Sequence, residues 1–192
     1  MSDRSQVGGI VLCGGYSSRM GLPKATLPFG PELMLQRVVR LLSEIVEPIV
    51  VVAAVDQQLP DLPPRTIVTR DEREGHGPLE GLRVGIAAIA GYVDAAYATS
   101  CDVPLLSQAF VRHMIAELGQ HDAAVLVDGK FYHPLAAVYR THIAVTIARL
   151  LDQEQRRTSE LFESVSTNRV PIQVLRGIDP DLLTLMNVNT PA

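Results

Sequence analysis

The run Ile49 to Ala54 restricts this chain more than any other stretch. It is apolar and rich in β-branched residues, so as a strand it needs cover on both faces, the situation of parallel strands in α/β proteins. Other short runs predict strands at Gly8 to Leu12, Ala95 to Ser100, Ala123 to Val127 and Leu135 to Val138. Helical spacing predicts helices between them. In Pro31 to Val46 the apolar residues Leu35, Val38, Val39, Leu42 and Val46 recur with Arg37, Arg40 and Glu44 between them, and Pro48 limits the segment. Further helices are expected at Leu79 to Ile89, from a Ser107 cap to about Leu118 with Gly119 just past the end, and at Thr141 to Leu151.

Strands alternating with helices imply an α/β fold: a Rossmann-like three-layer αβα sandwich with a mostly parallel sheet. With 192 residues, 47% of them hydrophobic, the chain has material for one substantial core, and a single domain over 1–192 is expected. Leu59 to Pro64 is proline-rich, yet periodic structure resumes directly after it, so it is expected to be a loop rather than a linker. In sheets of this kind ligands sit at the carboxyl ends of the strands. The two sharpest motifs, after Leu12 and after Ser100, fall there.

The net charge of −4 gives no basic footprint for nucleic acid, although backbone N–H groups and a few placed cations can still hold a small anion. Met1 to Val7 is polar, without an apolar targeting core, and no stretch approaches the ~20 apolar residues that span a membrane. A cytoplasmic protein without a membrane partner is expected. Cys13 and Cys101 form neither a Cys-x-x-Cys pair nor a zinc-ligand spacing and are expected to be buried, reduced thiols.

The segment Leu12-Cys13-Gly14-Gly15-Tyr16-Ser17-Ser18-Arg19-Met20-Gly21-Leu22-Pro23-Lys24 carries most of the functional information. Glycines allow close approach of backbone to phosphate, and free N–H groups in such a turn form a concave anion site. Arg19 can grip phosphate oxygens by a fork of donors, and Lys24 supplies a point charge. Neither the Walker pattern nor the dinucleotide fingerprint is present. Asp102, two residues beyond the strand ending at Ser100, places a hard carboxylate at the ligand edge, a donor suited to Mg²⁺. Asp71 in Asp71 to Gly81 has two readings: a carboxylate at a bound ligand, for which accepting from both N1–H and the exocyclic amine of guanine is one contact among others, or a turn aspartate in a polar loop.

On these residues the chain resembles the nucleotidyltransferase superfamily with the signature Leu-x-Gly-Gly-x-x-x-Arg-Met-Gly-x-x-Lys, and within it the molybdenum cofactor guanylyltransferases. The matched segments spread from Leu12 to Pro191: the first loop, Asp71 with Gly75, Gly77, Pro78, Leu79 and Gly81, then Cys101 to Leu105, His133-Pro134, and Asn187 to Pro191. The resemblance implies transfer of GMP from GTP to the molybdenum-molybdopterin cofactor, with Mg²⁺ and release of pyrophosphate. It assigns the nucleotide to Leu12, Cys13, Gly14, Gly15, Lys24, Asp71 and Asp102, the metal to Asp102, and catalysis to Arg19, Lys24 and Asp102. It also implies an acceptor region with His133, Arg156, Arg157 and Asn189, and cofactor-assembly proteins as partners.

Asn187 and Asn189 stand where cytidylyltransferase relatives tend to carry aspartates, and Gly14 stands where they carry alanine, so the resemblance favours GTP over CTP. Cys13 departs from the family's usual alanine. His133 also reads as a structural histidine at a strand start, Arg156 with Arg157 as a solvated basic turn, and Asn189 as part of a plain Asn-Thr-Pro turn. Competing functions are a cytidylyltransferase for the same cofactor, a nucleotidyltransferase for another small molecule, and a nucleotide-binding regulatory module without catalysis.

Overall fold

A computed structural model describes residues 7–13, 23–71 and 77–188. Its main sheet has seven strands in the order β5-β4-β1-β6-β8-β7-β9. These are β1 (Val7–Leu12), β4 (Ile49–Ala54), β5 (Thr66–Asp71), β6 (Ala95–Ser100), β7 (Ala123–Asp128), β8 (Phe131–Arg140) and β9 (Thr167–Pro171). A two-strand hairpin, β2 (Pro28–Phe29) and β3 (Glu32–Leu33), precedes the first helix. All neighbours in the main sheet are parallel except at β8, which runs antiparallel to both β6 and β7.

Alternate residues of the central strands face opposite layers, as the period of two requires. Val11, Val51 and Tyr97 join the core under α1 (Met34–Ser43), α3 (Gln108–Glu117) and the short α6 (Ile172–Leu175). Ile10, Val50 and Ala98 join the core under α2 (Pro78–Ile89), α4 (Ala144–Asp152) and α5 (Thr158–Ser164). The expected three-layer αβα arrangement follows from this double cover. Ser107 caps α3 by accepting from the Phe110 N–H at 3.4 Å, and Gly119 lies one residue past the Leu118 cap at φ +48°.

Several boundaries differ from the sequence reading. The expected helix over Pro31 to Val46 begins only at Met34, because Glu32 and Leu33 pair with Pro28 and Phe29 in the hairpin. The expected helix from Thr141 opens as a single 3₁₀ turn, Thr141–Ile143, before α4 starts. Asp71 ends a strand rather than sitting in a turn, paired with Ala54 at the end of β4. The strand expected at Leu135 to Val138 runs from Phe131 to Arg140 and bulges: Val125 faces Ala137 while Leu126 faces His133, so Pro134, Leu135 and Ala136 stand out of register. Proline fits there because the bulge asks no ladder hydrogen bond of it, and its carbonyl accepts from the buried Tyr139 hydroxyl at 2.7 Å.

Chain order sets where a ligand can enter. From β1 the chain crosses to β4 and β5 on one side, then returns through α2 to β6 on the other side of β1. The strand order therefore reverses between β1 and β6, and a crevice opens at their carboxyl ends.

Candidate active site

The register of β1 with β6 brings Leu12 opposite Ser100, so the residues that follow each strand emerge together at the crevice. The ladder continues past both ends: Cys101 donates its N–H to Leu12 O at 3.0 Å, and Cys13 donates to Val52 O at 2.8 Å. Cys13 and Cys101 are both buried and unpaired by disulfide. A hydrogen bond with Cys101 and burial both raise the Cys13 thiol well above its ordinary pKa, so it is held protonated and is a poor nucleophile.

Asp102 is the focus of the site. Only 8% exposed, it accepts from Lys24 Nζ on Oδ2 at 2.7 Å and from the Ser100 hydroxyl on Oδ1. Lys24 is poised by its own turn. The 3₁₀ helix Lys24–Thr26 is anchored by buried Ala25 and Leu27 and by the Met34 N–H donating to Leu27 O at 2.9 Å, so the lysine reaches across the sheet edge to Asp102.

Two further contacts fix the Asp102 backbone. Arg37 of α1 donates Nε to Pro104 O at 2.7 Å, with its guanidinium also on Glu32 and over the Phe29 ring. From the far end of the chain, Val188 donates its N–H to Asp102 O at 2.9 Å, bringing the C-terminal segment to the crevice. Neither Ser100, Arg37 nor the Val188 N–H is legible from residue type and spacing. Serine at a strand end and arginine on an amphipathic helix are ordinary, and a backbone donor leaves no sequence mark.

The other predicted residues spread along the same edge. Asp71 closes β5, three strands from β6 and so about 14 Å to one side by the spacing of strands. His133 lies on the other side, on β8 next to β6. Burial lowers its pKa below the ordinary histidine value, and the charge of Asp128 offsets part of that shift. Arg156 and Arg157 are exposed on the turn between α4 and α5, with Arg157 capping α5 and its N–H donating to Glu160 at 3.2 Å. Gly14, Gly15, Arg19 and Asn189 lie outside the described residues.

The Lys24–Asp102 pair lies at the strand-order reversal, where ligands bind in open α/β sheets. Residues 9–169 match the MobA-like NTP transferase domain, and the chain belongs to that family. It is 38% identical over 198 residues to a probable molybdenum cofactor guanylyltransferase of Mycobacterium avium, covering 100% of this chain and 95% of that protein. A probable molybdenum cofactor guanylyltransferase of Mycobacterium ulcerans is 37% identical, covering 100% and 92%. The crystal structure of molybdopterin-guanine dinucleotide biosynthesis protein A from Archaeoglobus fulgidus superposes with a TM-score of 0.75 at 21% identity, covering 97% and 93%, which establishes the shared fold.

Proposed function

We propose that this chain is a magnesium-dependent guanylyltransferase, a single domain that transfers GMP from GTP to the molybdenum-molybdopterin cofactor and releases pyrophosphate. The observation that carries the reading is the Lys24–Asp102 pair at the β1/β6 crevice, in a chain similar over its full length to proteins named for that activity.

The candidate groups are spread along the edge from β5 to β8. An extended nucleoside triphosphate reaches from Asp71 at the base or ribose to Lys24 and Asp102 at the phosphates, with the acceptor towards His133, Arg156 and Arg157. An oxygen of the acceptor's terminal phosphate attacks the α-phosphorus of GTP, a new P–O bond forms, and the α–β anhydride bond breaks. The nucleophile is anionic at neutral pH, so the protein's work is alignment and stabilisation of charge on the leaving pyrophosphate. Lys24 turns from Asp102 to the phosphates, and Arg19 grips the pyrophosphate through its fork of donors.

The donor set suits Mg²⁺. Asp102 is a hard oxygen donor, and Mg²⁺ is commonly held by one or two carboxylates together with substrate phosphates and water. Asp102 would hold it, once Lys24 has moved to the phosphates, with the Ser100 hydroxyl fixing the carboxylate. When bound, Mg²⁺ supplies neutralisation of phosphate charge. No helix among the described residues is long and apolar enough to cross a membrane, and a cytoplasmic location fits this reading.

The test is product identity. With GTP, Mg²⁺ and purified cofactor, mass analysis should find the guanine dinucleotide form and pyrophosphate in equal amounts. A cytosine dinucleotide formed preferentially from an equimolar GTP and CTP mixture would replace the guanylyl assignment. Nucleotide binding without any transfer would turn the reading towards a regulatory module.

A further inference from the structure

Helix α1 turns Arg37, Arg40 and Glu44 away from the core, and its two arginines reach different partners. Arg40 bonds close to itself in sequence: Nε and Nη2 donate to Glu32 at 2.7 and 2.9 Å, and Nη1 donates to Glu44 at 3.0 Å. Arg37 reaches further. Its Nε donates to Pro104 O at 2.7 Å, across 67 residues of chain, while Nη1 donates to Glu32 Oε2 at 3.2 Å and the guanidinium carbon stands 5.2 Å from the centre of the Phe29 ring. A planar guanidinium can hold two acceptors and lie on an aromatic face at once, which a lysine ammonium cannot.

These partners sit on the two segments that deliver the candidate catalytic groups. Phe29 and Glu32 pair in the hairpin that follows the Lys24–Thr26 turn, and the end of that turn is tied to the start of α1 by the Met34 N–H on Leu27 O at 2.9 Å. Pro104 lies two residues past Asp102 in the loop leaving β6. The 78 residues that separate Lys24 from Asp102 are thus spanned by the ion pair itself and again by Arg37. Partly exposed ion pairs add little to stability, and here the Arg37 and Glu32 side chains are 26% and 23% exposed. Displacing a reacting group by about 1 Å, in contrast, can cost about a hundredfold in rate, so a brace between the two segments counts for more in turnover than in folding.

We propose that Arg37 is a positioning residue for the transfer reaction: it fixes the Lys24 segment against the Asp102 loop and so sets the gap in which the phosphates meet both groups. The inference rests on the assignment of Lys24 and Asp102 to the reaction. Its signature is a loss of turnover at unchanged nucleotide affinity, together with a loosened Lys24–Asp102 pair in the ligand-free chain.

The chain has two lysines, Lys24 and the exposed Lys130, so the pair can be followed by acylation of the ligand-free full chain and mass analysis, with Lys130 as internal reference. Arg37→Met should raise the Lys24 to Lys130 labelling ratio several-fold, because an ammonium held less often by Asp102 is open to the reagent more often. Arg40→Met, which also takes an arginine from Glu32 but has no reach to Pro104, should leave the ratio as it is. In assays with GTP, Mg²⁺ and cofactor, Arg37→Met should lower kcat about tenfold or more and change the Kd for GTP by less than about twofold, while Arg40→Met moves neither beyond about twofold. Arg37→Lys, which keeps the charge without the fork, should retain most of the loss. In a Lys24→Ala background Arg37→Met should add less than about a twofold loss, the mark of two residues acting through one step.

An unchanged labelling ratio in Arg37→Met, a raised ratio at undiminished kcat, losses as large in Arg40→Met, full recovery by Arg37→Lys, or the same proportional loss with and without Lys24 would each overturn the positioning role. Full turnover by Lys24→Ala would remove Lys24 from the reaction, and the role with it, even where labelling shows the brace.

Discussion

The two halves of the sheet are built differently. From β5 to β6 every pairing is parallel, β1 ends level with β6 and β4 with β5, and the polar groups at the crevice are tied to one another: Lys24 and Ser100 to Asp102, Arg37 to Pro104, Val188 to the Asp102 carbonyl. Beyond β6 an antiparallel strand with a bulge intervenes, and the candidate groups there are looser. His133 is half-buried, and Arg156 and Arg157 stand in solvent on a turn. The contrast suits a two-substrate enzyme. Groups that act on developing charge gain from being fixed beforehand, whereas groups that only gather an anionic acceptor can reach it from flexible stems.

If that division is right, substitutions in the first half should cut turnover and those in the second should weaken acceptor binding. Lys24→Ala should lower kcat by about 10²-fold or more with a far smaller change in GTP affinity, as loss of a placed electrostatic group does. A matching loss of GTP affinity at unchanged kcat would blur the comparison at its strongest point. Arg156→Ala and Arg157→Ala should each raise the acceptor KM about tenfold, the worth of a charged hydrogen bond, and leave the Kd for GTP unchanged. A fall in kcat at saturating acceptor would move these arginines into the catalytic half.

Two smaller effects probe how firmly each half is built. Gly85→Ala forces a methyl against Ile10 and Val52 and should destabilise the fold by about 1–3 kcal/mol in denaturant titrations. No loss would mean that α2 can shift on the sheet. At His133 the folded-state pKa lies below the ordinary value of 6.5, so the unfolded chain takes up the proton more readily. The resulting stability is present above that value and lost as pH falls through it and then through the lower folded-state value. His133→Gln should flatten this part of the stability profile, and an unchanged profile would show that burial costs the imidazolium nothing.

The same contrast governs what could be read from sequence. Strands β1, β4 and β6 are buried on both faces, so their apolar runs stand out, and Lys24 and Asp102 are marked by the loops that leave them. At the edges the signal fades. Strand β5 carries the polar residues Thr66, Thr69, Arg70 and Asp71, and in β9 only Val170 is buried, so neither has a run to detect. Helix α5 buries only Leu161 and Phe162 over its short length. The reversed direction of β8 leaves no trace in hydrophobicity, and its bulge hides half its length. Glu80 and Arg83, three apart on a helix, have the spacing of a common surface ion pair, and only the packing of α2 reveals that Glu80 is buried.

The most direct test is pyrophosphate release from GTP and, separately, from CTP, with Mg²⁺ and purified molybdopterin cofactor, comparing the intact chain with Asp102→Ala. The account predicts rapid release with GTP, slow release with CTP, and a loss of about 10³-fold in the variant. Undiminished release by Asp102→Ala would contradict it, because the carboxylate on which Lys24 and Ser100 converge would then have no part in the reaction.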